Sequence, residues 1–150
     1  MQRIAQTLGA LALAAGALFA GAQTAAAQET PTPSVLTPDV LANMEYQSEF
    51  TASGTAVLVN GIYSETAAGD SVVTIRLLEE PQATGMVDGQ EAAAVLIAEN
   101  GGGSGTFVHL ALVVDQGGMP VNTSNAFLGD RVAVSAMEFR DDGTIVVGLV

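Results

Sequence analysis

The feature that most constrains this chain is a pair of apolar runs between residues 91 and 118. The runs, residues 92–98 and 106–114, are joined by a segment that contains four glycines and one serine. Both are short, contain β-branched residues and are bounded by turn formers, which is typical of strands. The second run is apolar on both alternating faces, and only a strand covered on both sides tolerates that. We therefore expect two neighbouring antiparallel strands at the centre of a sheet.

Turn signals divide much of the remaining chain into further short strands. The strongest hairpin signal is Asn60-Gly61, because these residues accept the positive φ angles of a two-residue turn. Pro120 cannot donate to a strand ladder, so its strand is expected at a sheet edge. Besides the two apolar runs, strands are predicted over residues 55–59, 62–65, 71–78, 120–128, 131–139 and 144–150.

One short helix is predicted at residues 38–44, because Thr37 can cap it and Pro38 suits its first position. Residues 79–90 contain Pro81, Gly85 and Gly89 and are predicted to form a loop. Short connections favour an antiparallel meander of about seven strands. The predicted fold class is therefore mainly β: a sandwich or a barrel-like curled sheet with one short N-terminal helix.

The first 27 residues have the pattern of an export signal. Arg3 supplies the positive end, an Ala- and Leu-rich run follows, and Ala25-Ala26-Ala27 is a cleavage site that would leave Gln28 first. The run is too short and too rich in Ala and Gly to favour a stable membrane span. No cysteine is available for a lipid anchor. The chain is therefore predicted to be exported, periplasmic or extracellular, and not a lipoprotein.

The mature chain is predicted to have two parts. Residues 28–37 form a linker rich in Pro and Thr, which favours an extended spacer. Residues 38–150 form one β-rich domain, a length that suits a single modest core. Its last residues, 145–150, are apolar without a polar ending. That ending fits either a terminus inside the sheet or a domain that continues further.

Charge and cysteine content exclude several classes of function. Acidic residues outnumber basic ones by 16 to 4, giving a formal net charge of −12. Such a surface repels phosphate backbones, so nucleic acid is not an expected partner. The absence of cysteine removes disulfides, thiolate nucleophiles and thiolate metal sites. No cofactor is predicted, and the expected partner is an unknown protein or small-molecule ligand.

Two residues invite a catalytic interpretation. Ser104 lies in a glycine-rich stretch, but Thr106 stands where a nucleophile elbow needs glycine, and a strand follows instead of a helix. A turn in which glycines take positive φ explains the stretch better. His109 is the only histidine, and a hydrogen-bonded core residue is favoured over a catalytic base or metal ligand. A hydrolase that uses Ser104 or the turn carboxylates stays the alternative.

Carboxylates and aromatics supply the remaining candidates. Glu99 and most other acidic residues lie at expected turns, where turn chemistry alone accounts for them. Asp88 and Glu91 could hold a metal ion, although a calcium site needs more oxygens than these two carboxylates supply. Tyr46 and Tyr63, with Phe50, could line a ligand-binding surface together with Ser104. Aromatics of this kind also commonly close the end of a small core.

Two short motifs stand out along the chain: Gly102-Gly103-Ser104-Gly105-Thr106-Phe107 and Leu128-Gly129-Asp130-Arg131. With several less specific motifs in the same order, they resemble a family of uncharacterised exported bacterial β-rich domains. The resemblance covers nearly all of the mature chain. It implies an extracytoplasmic location and no established activity. In that family a loop before the first central strand can hold calcium, and here only Asp88 and Glu91 keep carboxylates in it. Family members also tend to continue past the final strand seen here.

The sequence therefore predicts an exported, non-catalytic β module with a binding or envelope-interaction role. The first alternative is the secreted hydrolase described above. The second is a calcium-stabilised extracellular module that uses Asp88 and Glu91. Convergence of His109, Ser104 and one acid in a pocket would favour the hydrolase, and a melting temperature that depends on calcium would favour the calcium module.

Overall fold

The computed structural model of the chain describes residues 33–150. The predicted signal and the first half of the predicted linker, together residues 1–32, lie outside this part. Within it, the chain forms three antiparallel sheets of two, five and two strands, which confirms the mainly β prediction. The elements are α1 Pro38–Leu41, β1 Glu45–Gln47, β2 Thr55–Val57, β3 Ile62–Thr66, a short 3₁₀ turn Ala68–Asp70, β4 Val72–Val87, β5 Gln90–Asn100, β6 Phe107–Asp115, β7 Pro120–Asp130, β8 Val134–Phe139 and β9 Ile145–Leu149.

The five-stranded sheet is a meander in the order β3-β4-β5-β6-β7. The predicted pairing of the two apolar runs is confirmed, and β5 is the central strand. Residues 92–97 of β5 are all buried, as expected for a strand covered on both faces. On β6 the prediction holds less well, because Leu110 and Leu112 are only half-buried. The sheet is open, with β3 and β7 as edges, so the barrel-like closure is not formed.

The predicted helix begins where expected and ends earlier. Thr37 caps it by accepting a hydrogen bond from the Val40 amide at 3.3 Å. The helix ends at Leu41, with Ala42 as its C-terminal cap. Leu41, the last residue of this four-residue helix, is buried in the core, and so is Met44 just after it.

The predicted loop over residues 79–90 is wrong, because β4 continues as a strand to Val87. Between the pairs Leu78–Leu96 and Ala83–Ala94, residues 79–82 lie opposite residue 95 alone. This bulge accommodates Pro81, which could not sit in a regular ladder. The turn follows later, at Asp88-Gly89, with φ angles of 50° and 78°, the positive values that a two-residue hairpin requires.

The main core lies between one face of the five-stranded sheet and the N-terminal elements. We call this side of the sheet the core face. Tyr46 of β1 and Leu58, just after β2, belong to the same buried cluster as Ile75, Val95 and Ile97 of the sheet. No strand is predicted from the sequence over residues 45–47, because three residues are too few for alternation to be recognised.

The remaining predicted turns are formed with some changes. Asn60-Gly61 turns with φ angles of 52° and 78°, but the flanking residues share only one bridge, Val59 to Ile62. β2 pairs with β1 instead, and β3 with β4. At the C-terminal end, β8 and β9 form a separate hairpin, and β8 contacts β4. Within residues 33–150, no helix is long and apolar enough to cross a membrane.

Candidate functional site

A cavity of about 490 Å³ opens at one end of the core face. One wall comes from the end of β1 and the residues after it. The other comes from the adjacent ends of β5, β6 and β7. We call this cavity the phenyl cleft, and its lining consists of Gln47, Ser48, Glu49, Phe50, Glu99, Phe107, His109, Asn125 and Phe127.

The register of the sheet brings the strand residues of the cleft onto one face. Directly paired residues of antiparallel strands point to the same side. Glu99 pairs with Phe107, and His109 pairs with Phe127. The second pairing depends on a bulge in β7, because Val108 pairs with Gly129 and Leu128 is left as an extra residue. In a regular ladder His109 would pair with Leu128, and Phe127 would point to the opposite face of the sheet.

Side-chain amides join β1 to β7 beside the cleft. The Gln47 backbone N–H donates to Asn122 Oδ1 at 2.9 Å, and Gln47 Nε2 donates to the Asn122 carbonyl at 2.9 Å. Asn125 Nδ2 donates to the Gln47 carbonyl at 2.8 Å. A second bulge in β7 lets Asn122 pair with Val113 on the core face. The two walls of the cleft are therefore held together by hydrogen bonds that involve the strand backbones.

A buried acid and an imidazole meet at the base of the cleft. His109 Nδ1 lies 3.1 Å from Glu99 Oε2, and the two side chains are 15% and 3% exposed. Despite this short distance, the ring N–H direction does not give hydrogen-bond geometry. His109 Nδ1 and Glu99 Oε1 are both buried and have no hydrogen-bond partner among the described residues. Such atoms in a folded protein call for an explanation, and a bound ligand is one.

The environment of Glu99 shifts its pKa. Burial raises the pKa of the Glu99 carboxyl above its ordinary value, and this is the largest effect. The Ser48 hydroxyl and His109 lower that pKa, whereas the charge of Glu49 raises it further. Perturbation of this kind, caused by burial together with specific partners, is typical of functional sites and also occurs in structural networks.

Three phenyl rings form the apolar wall of the cleft. Phe50 and Phe107 are stacked, with ring centroids 5.2 Å apart and planes 11° apart. Phe127 is tilted against Phe107 at 6.2 Å and against the His109 ring at 5.3 Å. Phe127 is 61% exposed, which is unusual for so large an apolar side chain. The wall therefore presents a phenyl surface to solvent next to a buried carboxylate.

The glycine-rich loop between β5 and β6 supports these rings. A Cβ atom on Gly101 would lie 2.7 Å from Phe50 Cδ1, and one on Gly105 would lie 2.8 Å from Phe107 Cζ. Only residues without a side chain allow such close approach. Gly102 has a φ of 88°, as predicted for the turn. Two of the glycines are therefore explained by ring packing and one by backbone conformation.

The predicted ligand-binding residues Tyr46, Tyr63 and Ser104 lie elsewhere, whereas Phe50 and His109 line the cleft. Tyr46 is fully buried, and its hydroxyl donates to the Leu41 carbonyl at 2.8 Å; burial raises the pKa of Tyr46 far above its ordinary range. Tyr63 is half-buried and donates to Glu65 Oε2 at 2.8 Å, which raises the pKa of Tyr63. Ser104 is exposed in the loop and does not line the phenyl cleft.

The predicted metal ligands lie at the far end of β4 and β5. Asp88 is in the hairpin turn, and Glu91 of β5 pairs with Met86 of β4. Within residues 33–150, no group of three or more His, Cys, Asp or Glu side chains is placed to hold a metal ion. The calcium hypothesis therefore has no ligand cluster in the described part of the chain.

Six residues of the cleft were not identified as candidates from the sequence: Gln47, Ser48, Glu49, Phe107, Asn125 and Phe127. Glu99 is not a turn carboxylate, because it lies within β5 and is 2% exposed. His109 was expected in the core, and it does contact a buried acid, but it also lines the cleft. Phe107 and His109 are two residues apart on β6, so alternation places both on one face with Ala111. That signal could have indicated part of the site.

The convergence that would favour a hydrolase is only half formed. His109 lies beside an acid, but Ser104 does not line the cleft. The serine near them is Ser48, whose hydroxyl lowers the pKa of the Glu99 carboxyl. In hydrolytic triads the imidazole lies between the nucleophile and the carboxylate. The serine found here is a neighbour of the carboxylate, so the predicted convergence of His109, Ser104 and an acid is not formed.

Comparison of the chain with protein-family profiles, with curated proteins and with solved structures finds no match. The resemblance to exported bacterial β-rich domains therefore stays a prediction. The geometry of the phenyl cleft is the evidence from which a function can be inferred.

Proposed function

We propose that this chain is a non-catalytic β module that binds a small-molecule ligand in the phenyl cleft. The observation that carries the proposal is the combination of a cavity of about 490 Å³ with a buried, partnerless carboxylate oxygen. Ligand sites are usually concave, mostly apolar and supplied with a few convergent polar groups. The cleft has an aromatic wall for the body of a ligand and polar atoms of Glu99, His109 and Asn125 for its orientation.

The exposed ring of Phe127 supports a binding role more than a structural one. Removal of an exposed phenyl group from water is favourable when a ligand covers it. The ring is also placed on the cleft side by a bulge in β7, and bulges commonly redirect side chains next to functional sites. A purely structural edge strand would not need this redirection.

The test uses benzyl alcohol, a neutral probe with one aromatic ring. Titration into isotope-labelled protein should shift the amide NMR signals of the residues that line the cleft. Phe127→Ala should weaken this binding, because it removes much of the aromatic wall without emptying a buried site. Met119→Ala is the matched control, since Met119 is 65% exposed and lies outside the cleft. Signal changes that spread over the whole surface would refute the proposal, and so would the absence of cleft shifts both with this probe and with its ammonium analogue.

We further propose that the module is exported and that residues 1–27 are removed. The support is the sequence pattern alone: a basic start, an apolar run and small residues before Gln28. Intact-mass measurement on protein recovered outside the cytoplasm should give a chain that begins at Gln28, with Gln23 as the second choice. A secreted form that retains Met1 would contradict the signal-peptide prediction.

We also propose that the two-stranded β1–β2 sheet and the five-stranded sheet form the two layers of a small sandwich. The support is the buried cluster that they share, in which Tyr46, Ala56 and Leu58 contact the core face. The layer formed by β1 and β2 is short, and this explains why it covers only part of that face.

A further inference from the structure

We propose that the ligand of the phenyl cleft is a small organic cation: a protonated primary or secondary amine on an apolar or aromatic body. This inference rests on the proposed function, since it names the ligand class of the same cleft. It is argued from the charges around the cavity, from the two oxygens of Glu99 and from the phenyl rings.

The charges around the cleft favour a positive ligand. Glu49 and Glu99 both line it, and none of its nine lining residues is lysine or arginine. The chain as a whole carries a formal net charge of −12. A cavity whose charged groups have one sign attracts ligands of the opposite sign and repels those of the same sign. An anionic ligand would meet two acidic groups and no lysine or arginine in the lining.

The two oxygens of the Glu99 carboxylate have different surroundings. Oε2 is close to His109 Nδ1, at 3.1 Å. Oε1 is buried and has no hydrogen-bond partner in the described part of the chain. A buried acceptor that lacks a donor costs free energy, and a donor supplied by a ligand recovers it. An ammonium N–H is the donor that matches best, because it also neutralises the charge of the carboxylate.

The phenyl rings of the cleft indicate the chemical character of the rest of the ligand. Phe127 is 61% exposed and lies beside both Phe107 and the His109 ring. The face of a phenyl ring attracts a cation, and its surface also packs against apolar groups. A ligand with an ammonium group next to a ring or short alkyl chain would satisfy both. The ammonium would reach Glu99, and the apolar body would cover Phe127.

The experiment compares probes of one shape and different charge: benzylammonium, benzyl alcohol and benzoate. Binding is measured by calorimetry and by amide NMR shifts at neutral pH and low salt. We expect benzylammonium to bind at least about tenfold more tightly than benzyl alcohol, because a charged donor gains a strong hydrogen bond to a buried carboxylate. Benzoate should not bind measurably. Benzyltrimethylammonium, which has charge but no N–H, should bind more weakly than benzylammonium.

Two variants separate the carboxylate from the general acidity of the protein. Glu99→Gln keeps the shape of the side chain and should abolish the preference for benzylammonium over benzyl alcohol. Glu138→Gln removes the same charge from an exposed position on β8, outside the cleft, and should leave the preference intact. Equal loss in both variants would assign the preference to net charge and overturn the role of Glu99.

The outcomes distinguish this inference from the proposed function. Equal affinity for benzylammonium and benzyl alcohol, with shifts confined to the cleft, would overturn the cation and leave the binding role standing. Equal affinity for benzylammonium and benzyltrimethylammonium would overturn the need for an N–H donor, and with it the assignment of a primary or secondary amine. Absence of cleft shifts with every probe would overturn the proposed function itself.

Discussion

Between Ile97 and Glu99, the core face of β5 changes from a packed apolar surface to the lining of the phenyl cleft. Val95 and Ile97 are 0% exposed and belong to the aliphatic cluster under Tyr46 and Leu58. Glu99, the next residue on the same face, is equally inaccessible but lies at the base of the phenyl cleft. On β6 the same change runs from Val113 and Ala111 to His109 and Phe107. One continuous sheet face therefore has a closed end and an open end.

The difference comes from the layer above the sheet. Over the closed end, α1, β1 and β2 supply apolar side chains that complete the packing. Over the open end, the chain leaves β1 and turns, with the Ser48 amide donating to the Gly54 carbonyl at 3.0 Å. This turn carries Ser48, Glu49 and Phe50, which form a wall of the cleft instead of a lid. A binding site can therefore form where the N-terminal elements do not cover the core face, and the sheet itself matters less.

The largest expected effect is at the closed end. Ile97→Ala should lower the free energy of unfolding by about 2 to 5 kcal/mol, because it leaves a cavity in a packed cluster. Chemical denaturation of the variant and the parent measures this difference. Phe127→Ala at the open end is the counterpart, and it should stay within about 0.5 kcal/mol of the parent, as surface changes usually do. Similar losses in the two variants would mean that the cleft is part of the core and would remove the contrast.

A smaller effect is expected from Tyr46→Phe in the cover of the closed end. The substitution keeps the ring and removes the hydroxyl that donates to the Leu41 carbonyl at 2.8 Å. The carbonyl would be left buried without that donor, at a cost of about 1 to 3 kcal/mol. Thermal and chemical denaturation should both show the loss, with probe binding in the cleft unchanged. If the cleft lost affinity as well, the two ends of the face would be coupled through β1.

The closed end could be predicted from the sequence much better than the open end. Residues 92–98 and 106–114 are strands because their composition is apolar and β-branched, and their pairing follows from the short loop between them. The helix start at Thr37 and the turn at Asn60-Gly61 follow from local chemistry in the same way. These features depend on residues near in sequence, and the structure confirms them.

The open end depends on features that local patterns do not reveal. The position of Phe127 is set by one extra residue in β7, and alternation alone does not show a bulge. Glu99 stands at the end of an apolar run, where a turn carboxylate and a buried one look alike. The same limitation explains the error at residues 79–90, where Pro81 and Gly85 suggest a loop. Gly85 is instead a strand residue against Phe139, whose Cγ would lie 2.6 Å from a Cβ atom there.

The smallest expected effect concerns the pH dependence of stability at Glu99. Burial raises the pKa of this carboxyl in the folded protein above the value of about 4.3 expected for an unfolded chain. Between these two pKa values the folded state holds a proton that the unfolded state releases. The contribution of Glu99 to stability is therefore fully present below the unfolded pKa and is lost as pH rises through the folded pKa.

Glu99→Gln supplies the reference, because glutamine has the same shape and does not titrate. The free energy of unfolding of the parent, minus that of Glu99→Gln, should fall as pH rises from about 4. The change should be on the order of 1 kcal/mol or less, similar to one hydrogen bond. Denaturation at a series of pH values measures it. Two other titratable groups, Glu49 and His109, face Glu99 across the cleft. Both are present in the parent and in the variant, so the difference in unfolding free energy reports on the Glu99 carboxyl.

A rise of that difference with pH would contradict burial as the dominant influence. It would mean that the Ser48 hydroxyl and His109, which lower the pKa of Glu99, outweigh desolvation and hold the carboxylate as an anion. His109→Gln distinguishes the two cases, because it removes one of the two groups that oppose burial. If burial dominates, the stability contribution of Glu99 in the His109→Gln protein should be lost at a higher pH than in the parent. Glu99 at the open end would then be a buried acid that lowers the stability of the fold because no donor compensates it. Binding of a cation would remove that cost.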